Sequence, residues 1–168
     1  MTPVQRHDLR LAAEDFLHRE ARLLDTHSYA DWEAMWTDDG VYWVPVGNAD
    51  YDPKTRVSLI YEERPALSRR VKRLCGDSAY AQIPRSSMVR IVSNVEVDGS
   101  ANGNGSENGT VDVHSTFVLH SSRRDIQDVF AGRVHHVLRT VEGSWRIARR
   151  TVVLIDGDEP VPNLSFII

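Results

Sequence analysis

The sequence predicts an α+β fold in which N-terminal helices pack inside a curved antiparallel sheet. Two patterns carry that prediction. Apolar residues recur at spacings of three and four in the segments up to Leu74, and at spacings of two from Met88 onward. Helices first and a strand meander later is the order of α+β rather than of alternating α/β units. A third observation is negative. No internal repeat and no boundary interrupts the 168 residues, so residues 1–168 are expected to form one domain.

His7 to Asp25 reads as an amphipathic helix, with Leu9, Ala12, Ala13, Phe16, Leu23 and Leu24 on one face. Glu20 lies near that face. An unpaired buried carboxylate is costly, so the expectation is an ion pair that fixes helix packing, ahead of a catalytic acid. A second helix is expected from Tyr29 to Thr37, with Ser28 as N-cap and Trp32, Met35 and Trp36 as its apolar stripe. Asp38-Asp39-Gly40 supplies turn chemistry to end it. Val41 to Val46 reads as a strand that Pro45 confines to an edge or an end. Gly47 to Pro53 is a polar loop. Val57, Leu59 and Tyr61 alternate as a short strand would, although SLIYEE also has helix propensity. Ala66 to Leu74 reads as a helix, with Leu67, Val71 and Leu74 on one face and Arg69, Arg70, Lys72 and Arg73 mostly outside it.

Four strands follow. Met88 to Asp98 places Val89, Ile91, Val95 and Val97 on one side. Val111, Val113, Phe117 and Leu119 mark the next strand. Phe130, Val134 and Leu138 mark a third, with Gly132 as a bulge or bend. Trp145, Ile147, Val153 and Ile155 mark a fourth, after a turn at Glu142-Gly143. Between the first two strands, DGSANGNGSENG lacks any residue large enough to anchor a core. Residues of about 98–110 are therefore expected to form a flexible hairpin tip.

Composition removes several function classes. With 41% hydrophobic and 26% charged residues, the chain can build a core. A formal charge of −4 opposes nucleic-acid binding. The opening MTPVQRHDLR has no apolar run of the signal-peptide kind, and no stretch is apolar enough to span a bilayer. No nucleic acid and no membrane are thus expected as partners. The single cysteine, Cys75, allows no intramolecular disulfide and suits a reduced cytoplasmic setting, with an ordinary packed thiol as the expectation.

The same count bears on metals. A Rieske-type cluster needs two Cys and two His, and a Cys-rich zinc site needs more thiolates than the chain has. A mononuclear oxygenase iron needs two His and a carboxylate converging on one face. Here His135 and His136 are adjacent and point to opposite faces of a strand. His114 and His120 share a face but lie roughly 20 Å apart along it. No metal and no cofactor are expected in this chain. Nucleophilic chemistry finds no G-x-S-x-G elbow, and the Gly-rich run lacks the Lys-Ser/Thr ending of a phosphate loop. The basic run from Arg69 to Arg73 lacks interleaved aromatics, which favours a solvated face or an acidic protein contact over RNA.

Several phrases follow one another in a telling order: FLHREARLLD, YADW, DDGVYWVP, SLIYEERPALSRRVKRL, PRSSMVRIVSNVEV, FAGRVHHVLRT, GSWRIARRTVVLID and PVPNLSFII. Their joint order resembles the small (beta) subunit of the aromatic-ring-hydroxylating, Rieske-type oxygenases. The resemblance implies a cone-shaped domain of the cystatin-like, nuclear-transport-factor-2-like kind. It implies a trimer capped by three large catalytic subunits, giving a hetero-hexamer. The Rieske iron–sulfur cluster and the mononuclear iron would belong to the large subunit. Electrons from a nicotinamide cofactor would reach it through a reductase, and oxygen would be inserted into an aromatic ring. The small subunit would be chiefly structural, sometimes affecting substrate preference.

Subunit contacts bury aromatics and arginine, which makes Trp43, Tyr61, Arg64, Arg85, Arg90 and Phe166 the interface candidates. The apolar LSFII end is expected to dock on its own core or on a neighbouring subunit. The rival reading is a stand-alone isomerase, dehydratase or cyclase of the same cone shape. In it, Tyr42, His114 and His136 would line an internal apolar pocket, with Asp31 as a base at the mouth. Fold alone does not decide between the two.

Overall fold

The computed structural model describes residues 2–76, 84–98, 109–160 and 166–168. Helix α1 spans Pro3–Asp25 and α2 spans Tyr29–Glu33; β1 (Trp36–Pro45), β2 (Ser58–Glu63) and α3 (Arg64–Cys75) follow. Strands β3 (Ser87–Asp98), β4 (Thr110–Arg123), β5 (Ile126–Val141) and β6 (Ser144–Leu154) come after them. The six strands form one curved sheet in the order β2-β1-β6-β5-β4-β3. Among the described strands only β1 and β6 pair in parallel. The helices cover the inner face, and one apolar core joins them to it. Most of the hairpin tip read from the sequence, residues 99–108, lies outside the described residues.

Helix α1 starts earlier than periodicity alone suggests. Thr2 caps it: its hydroxyl accepts from Gln5 N at 3.2 Å, and Gln5 Oε1 accepts from Thr2 N at 2.8 Å. With Pro3 in the first turn, this is a complete capping box. The buried face is Ala13, Leu17, Glu20 and Leu24, one stripe of i, i+4, i+7, i+11. Ala12 is exposed. The helix stops at a backbone reversal, with His27 at φ 57° and Ser28 N donating to Leu23 O at 2.8 Å.

The second helix is shorter than expected and ends at Glu33. Trp36 to Gly40 belong to β1, because Ile147 on β6 pairs with Trp36 and donates its N–H to Met35 O at 2.8 Å. Local turn chemistry at Asp38-Asp39-Gly40 becomes an irregularity in the parallel ladder, between Trp36 and Val41. Ser28 precedes α2 without a side-chain cap bond. SLIYEE is a strand, paired antiparallel to β1. Helix α3 buries Leu67, Val71 and Leu74, as the pattern predicts. Cys75 at its end is exposed rather than packed.

Two strands change sides part-way. In β3, pairing to β4 shifts between Ser93 and Glu96, with Asn94 at φ 52°. The inserted residue inverts the alternation. Met88, Val92, Val95 and Val97 therefore pack on the core, while Val89 and Ile91 are 57% and 66% exposed. In β6, pairing to β5 shifts between Val137 and Leu138. Ile147, Arg150, Val152 and Leu154 are buried, and Ile155 lies beyond the strand, exposed. The sequence expectation of one continuous face fails in both strands for this reason.

The turn Glu142-Gly143 has φ of 51° and 77°, the doubly positive geometry of a tight hairpin. Gly132 is not a bulge. It stays in register with Phe117 and Leu154, and a Cβ there would sit 2.3 Å from Val153 O. Its role is close backbone approach. Gly132→Ala is therefore expected to lower unfolding stability by about 1–3 kcal/mol, the usual cost of overpacking. Urea denaturation of the variant checks this.

Candidate functional site

Inside the cone, one carboxylate gathers the polar groups. Glu20 on α1 accepts from Trp32 Nε1 at 3.0 Å through Oε1. Its Oε2 lies 2.9 Å from His136 Nε2 on β5, and Oε1 lies 3.1 Å from Arg150 Nε on β6. All three ionisable side chains are buried. Burial alone would push the Glu20 carboxyl up. Instead, the Arg150 guanidinium and the His136 ring, with hydrogen bonds from His136 and Trp32, hold it well below the usual carboxylate range. The sequence expectation of an ion pair at Glu20 is met by Arg150, and His136 and Trp32 add hydrogen bonds to the same carboxylate.

The tail completes the interior. Phe166, Ile167 and Ile168 are buried, and the Phe166 ring meets Phe130 edge-on at 5.7 Å. Arg150 donates to Ile168 O, and the Tyr42 hydroxyl donates to the same oxygen at 3.0 Å. Arg90 donates to Ile167 O and pairs with Asp25. The tail residues described thus dock on their own core. Trp32, Trp36 and Tyr42 form a set of edge-on contacts at 5.2–6.3 Å beneath them. What remains beside Glu20, His136 and Arg150 is a cavity of about 20 Å³. A water needs about 10–15 Å³ of such space, whereas small-molecule sites run to about 300–1,000 Å³.

The four residues of the enzymatic reading are not brought together. Tyr42 and His136 are interior, each engaged as above. Asp31 is exposed in an open cleft of about 650 Å³ between α1, α2 and the β5–β6 hairpin, beside Phe16, Met35 and Trp145. His114 lies on the outer face of the sheet, its ring stacked on His135 at 4.4 Å and 4°. His135 Nε2 is 2.7 Å from Asp112 Oδ1. Burial, together with the neighbouring His114, pushes the His135 pKa down, although Asp112 opposes the shift. His135 and His136 do point to opposite faces, as adjacent strand residues must.

The six interface candidates also divide. Trp43, Arg90 and Phe166 are buried within this chain, Arg90 by its side chain. Trp43 Nε1 donates to Ser58 Oγ at 2.8 Å, and the Arg149 guanidinium covers its ring at 5.2 Å. Tyr61 is half-buried opposite Trp43. Arg64 pairs with Glu33 at 2.6 Å, an oxygen that Ser68 also reaches at 2.6 Å. Arg85 is exposed.

Sequence reasoning passed over Arg150 and His27. Arg149-Arg150 are adjacent on a strand, so one of them had to face the core. His27 is less visible, because its role depends on a remote backbone atom. Its Nε2 donates to Ser86 O at 2.9 Å, since a carbonyl only accepts, and its Nδ1 accepts from the Tyr29 hydroxyl at 2.9 Å.

The donor set does not fit the metal centres that the resemblance implies for the whole enzyme. One cysteine cannot supply a Rieske cluster. Among the described residues no three His, Cys, Asp or Glu side chains are arranged to hold a metal. No helix among them is long and apolar enough to cross a membrane.

A curved sheet lined by helices, with Phe166, Ile167 and Ile168 buried in the same core, defines a cone-shaped α+β domain. The model of the ring hydroxylating beta subunit family matches residues 19–157, and the chain belongs to that family. The small oxygenase component of the p-cumate 2,3-dioxygenase system of Pseudomonas putida is 32% identical over 162 residues, covering 95% of this chain and 87% of that protein. The anthranilate 1,2-dioxygenase small subunit of Acinetobacter baylyi is 29% identical over 157 residues, covering 89% and 91%. The crystal structure of the beta subunit of the benzoate 1,2-dioxygenase from Burkholderia mallei superposes with a TM-score of 0.72 at 24% identity, covering 92% of this chain and 95% of that one. The reading as a structural small subunit stands, and the stand-alone enzyme is not favoured.

Acid should loosen this interior in a defined order. Burial pushes the His27 pKa down, so its contribution is full above the ordinary His value of about 6.5 and is lost as pH falls below it. Glu20, also depressed, contributes above the ordinary carboxylate range and is lost below about 4.3. The urea midpoint is expected to fall between pH 7 and pH 5.5, and His27→Gln to flatten that first decline. A midpoint constant across this window contradicts the assignment.

Proposed function

We propose that this chain is the non-catalytic scaffold of a cytoplasmic ring-hydroxylating oxygenase acting on an aromatic compound. Three copies associate as a trimer and carry three large subunits, which hold the Rieske cluster and the mononuclear iron. Family membership supports the large-subunit partner. The observation that carries the scaffold reading is the filled cone. Its polar interior groups bind one another and the tail, and about 20 Å³ is left beside them. Catalysis by positioned acids and bases needs a site where a reacting atom can sit.

Residues 1–168 act as a single domain in this reading, with about 98–110 as a hairpin tip. Of the interface candidates, Tyr61, Arg64 and Arg85 keep accessible surface for a neighbouring chain. Trp43, Arg90 and Phe166 act from beneath by fixing the shape of that surface.

Two preparations test this: the chain alone, and the chain co-expressed with a large subunit bearing C-x-H and C-x-x-H motifs. The chain alone is expected to carry no stoichiometric iron and to turn nothing over. The co-expressed complex is expected to hydroxylate a member of an aromatic-acid panel. Turnover by the chain alone, abolished by changing Tyr42 or His136, contradicts the reading.

A further inference from the structure

Phe166, Ile167 and Ile168 are seated in the interior as a bound peptide is seated. They are buried, yet they belong to no helix or strand. Among the described residues no hydrogen bond between main-chain groups ties them to the rest of the chain. Side chains meet their polar groups instead. Arg90 donates to Ile167 O, and Arg150 and Tyr42 both donate to Ile168 O. The Ile167 main chain also hydrogen-bonds the Tyr29 hydroxyl. Phe130 meets the Phe166 ring edge-on at 5.7 Å.

These five side chains come from α2, β1, β3, β5 and β6. In the sheet order, those strands run from the second position to the far edge, so one short segment touches most of the width of the cone. The seat is also built without the tail. Asp25 is the counter-ion of Arg90, and Glu20 is that of Arg150. Both guanidiniums are therefore held and charge-paired by the fold itself, and each keeps an N–H for a carbonyl oxygen. A site held ready in this way loses little freedom when it is filled. Hydrogen bonds from charged donors are roughly twice as strong as neutral ones, which suits the seat to an incoming backbone.

We propose that the interior of the cone is a binding site for a short apolar peptide with an aromatic residue followed by two β-branched ones. The chain's own Phe166-Ile167-Ile168 is its resident, exchangeable ligand. Releasing the tail breaks no ladder and no helix, so it can leave by a local opening short of unfolding. A tether holds a ligand at an effective concentration of about the mM range, so a site of modest affinity stays filled. A second segment of the same pattern, offered in trans, competes for the same donors. This goes beyond the scaffold reading, which concerns iron and turnover and does not depend on the exchange.

The experiment uses the full chain with a weakened tail, Phe166→Ala together with Ile168→Ala, and a fluorescein-labelled peptide of residues 160–168 read by anisotropy. The peptide is expected to saturate the variant and to bind the wild type at least about tenfold more weakly, because the resident tail leaves only a fraction of seats open. Unlabelled peptide is expected to displace it, and the same peptide with alanine in place of Phe166 to fail. Equal binding to both chains, or displacement by the alanine peptide, places the peptide elsewhere and overturns the inference. A variant with a cooperative urea transition that takes up no peptide overturns it as well. Amide exchange on the wild type decides the matter if the variant does not fold. The Ile167 and Ile168 amides are expected to exchange at least about tenfold faster than the slowest amides of β5 and β6. Tail amides that exchange only at the rate of global unfolding contradict an exchangeable ligand.

Discussion

The fold turns on one carboxylate placed where carboxylates are rarely tolerated. Glu20 sits on the buried stripe of α1 and reaches α2 through Trp32, β5 through His136 and β6 through Arg150. Arg150 passes the connection to Ile168, and Tyr42 on β1 meets the same oxygen. Helix, sheet and tail are thus fixed against one another by groups whose geometry is directional. Apolar packing fills the rest of the cone, but it is indifferent to small rotations of a helix over a sheet. Removing one member of such a buried set typically costs about 3–5 kcal/mol, because the others are left buried and unpaired. Replacing the whole set with apolar residues can be neutral, so its contribution is to specificity of arrangement more than to net stability.

That arrangement has a functional consequence. Cone-shaped α+β domains can open an internal pocket, and the residue types for one are present in Tyr42, His136 and Arg150. Here they are engaged with Glu20 and with the backbone of the tail. Phe166 fills the space against Phe130. A closed interior leaves the surfaces as the working parts, as suits a member of the ring hydroxylating beta subunit family.

Much of this was legible in the sequence, and the failures have physical causes. Helices α1 and α3 followed from periodicity, and the four strands after Met88 from alternation. The ion pairing of Glu20 followed from the cost of a lone buried charge. Trp36 to Gly40 were misread because β1 is stabilised by a parallel neighbour more than a hundred residues away, which no local signal encodes. Val89, Ile91 and Ile155 were assigned to the core because alternation was extrapolated through two irregularities. A single extra residue at Asn94 reverses every side chain on one side of it. The stacking of His114 on His135 depends on cross-strand register, which a search for spacing along one strand does not reveal. The opposed pairs His135-His136 and Arg149-Arg150 were the better clue, since each must send one polar group inward.

A double-mutant cycle on Glu20→Gln and Arg150→Met tests the central claim most directly, with unfolding free energy as the readout. If the carboxylate and guanidinium act as one buried unit, the two changes together cost less than the sum of each alone, by about 1–3 kcal/mol. Strictly additive losses would mean that the two groups are independent, and that the interior is held by apolar packing alone.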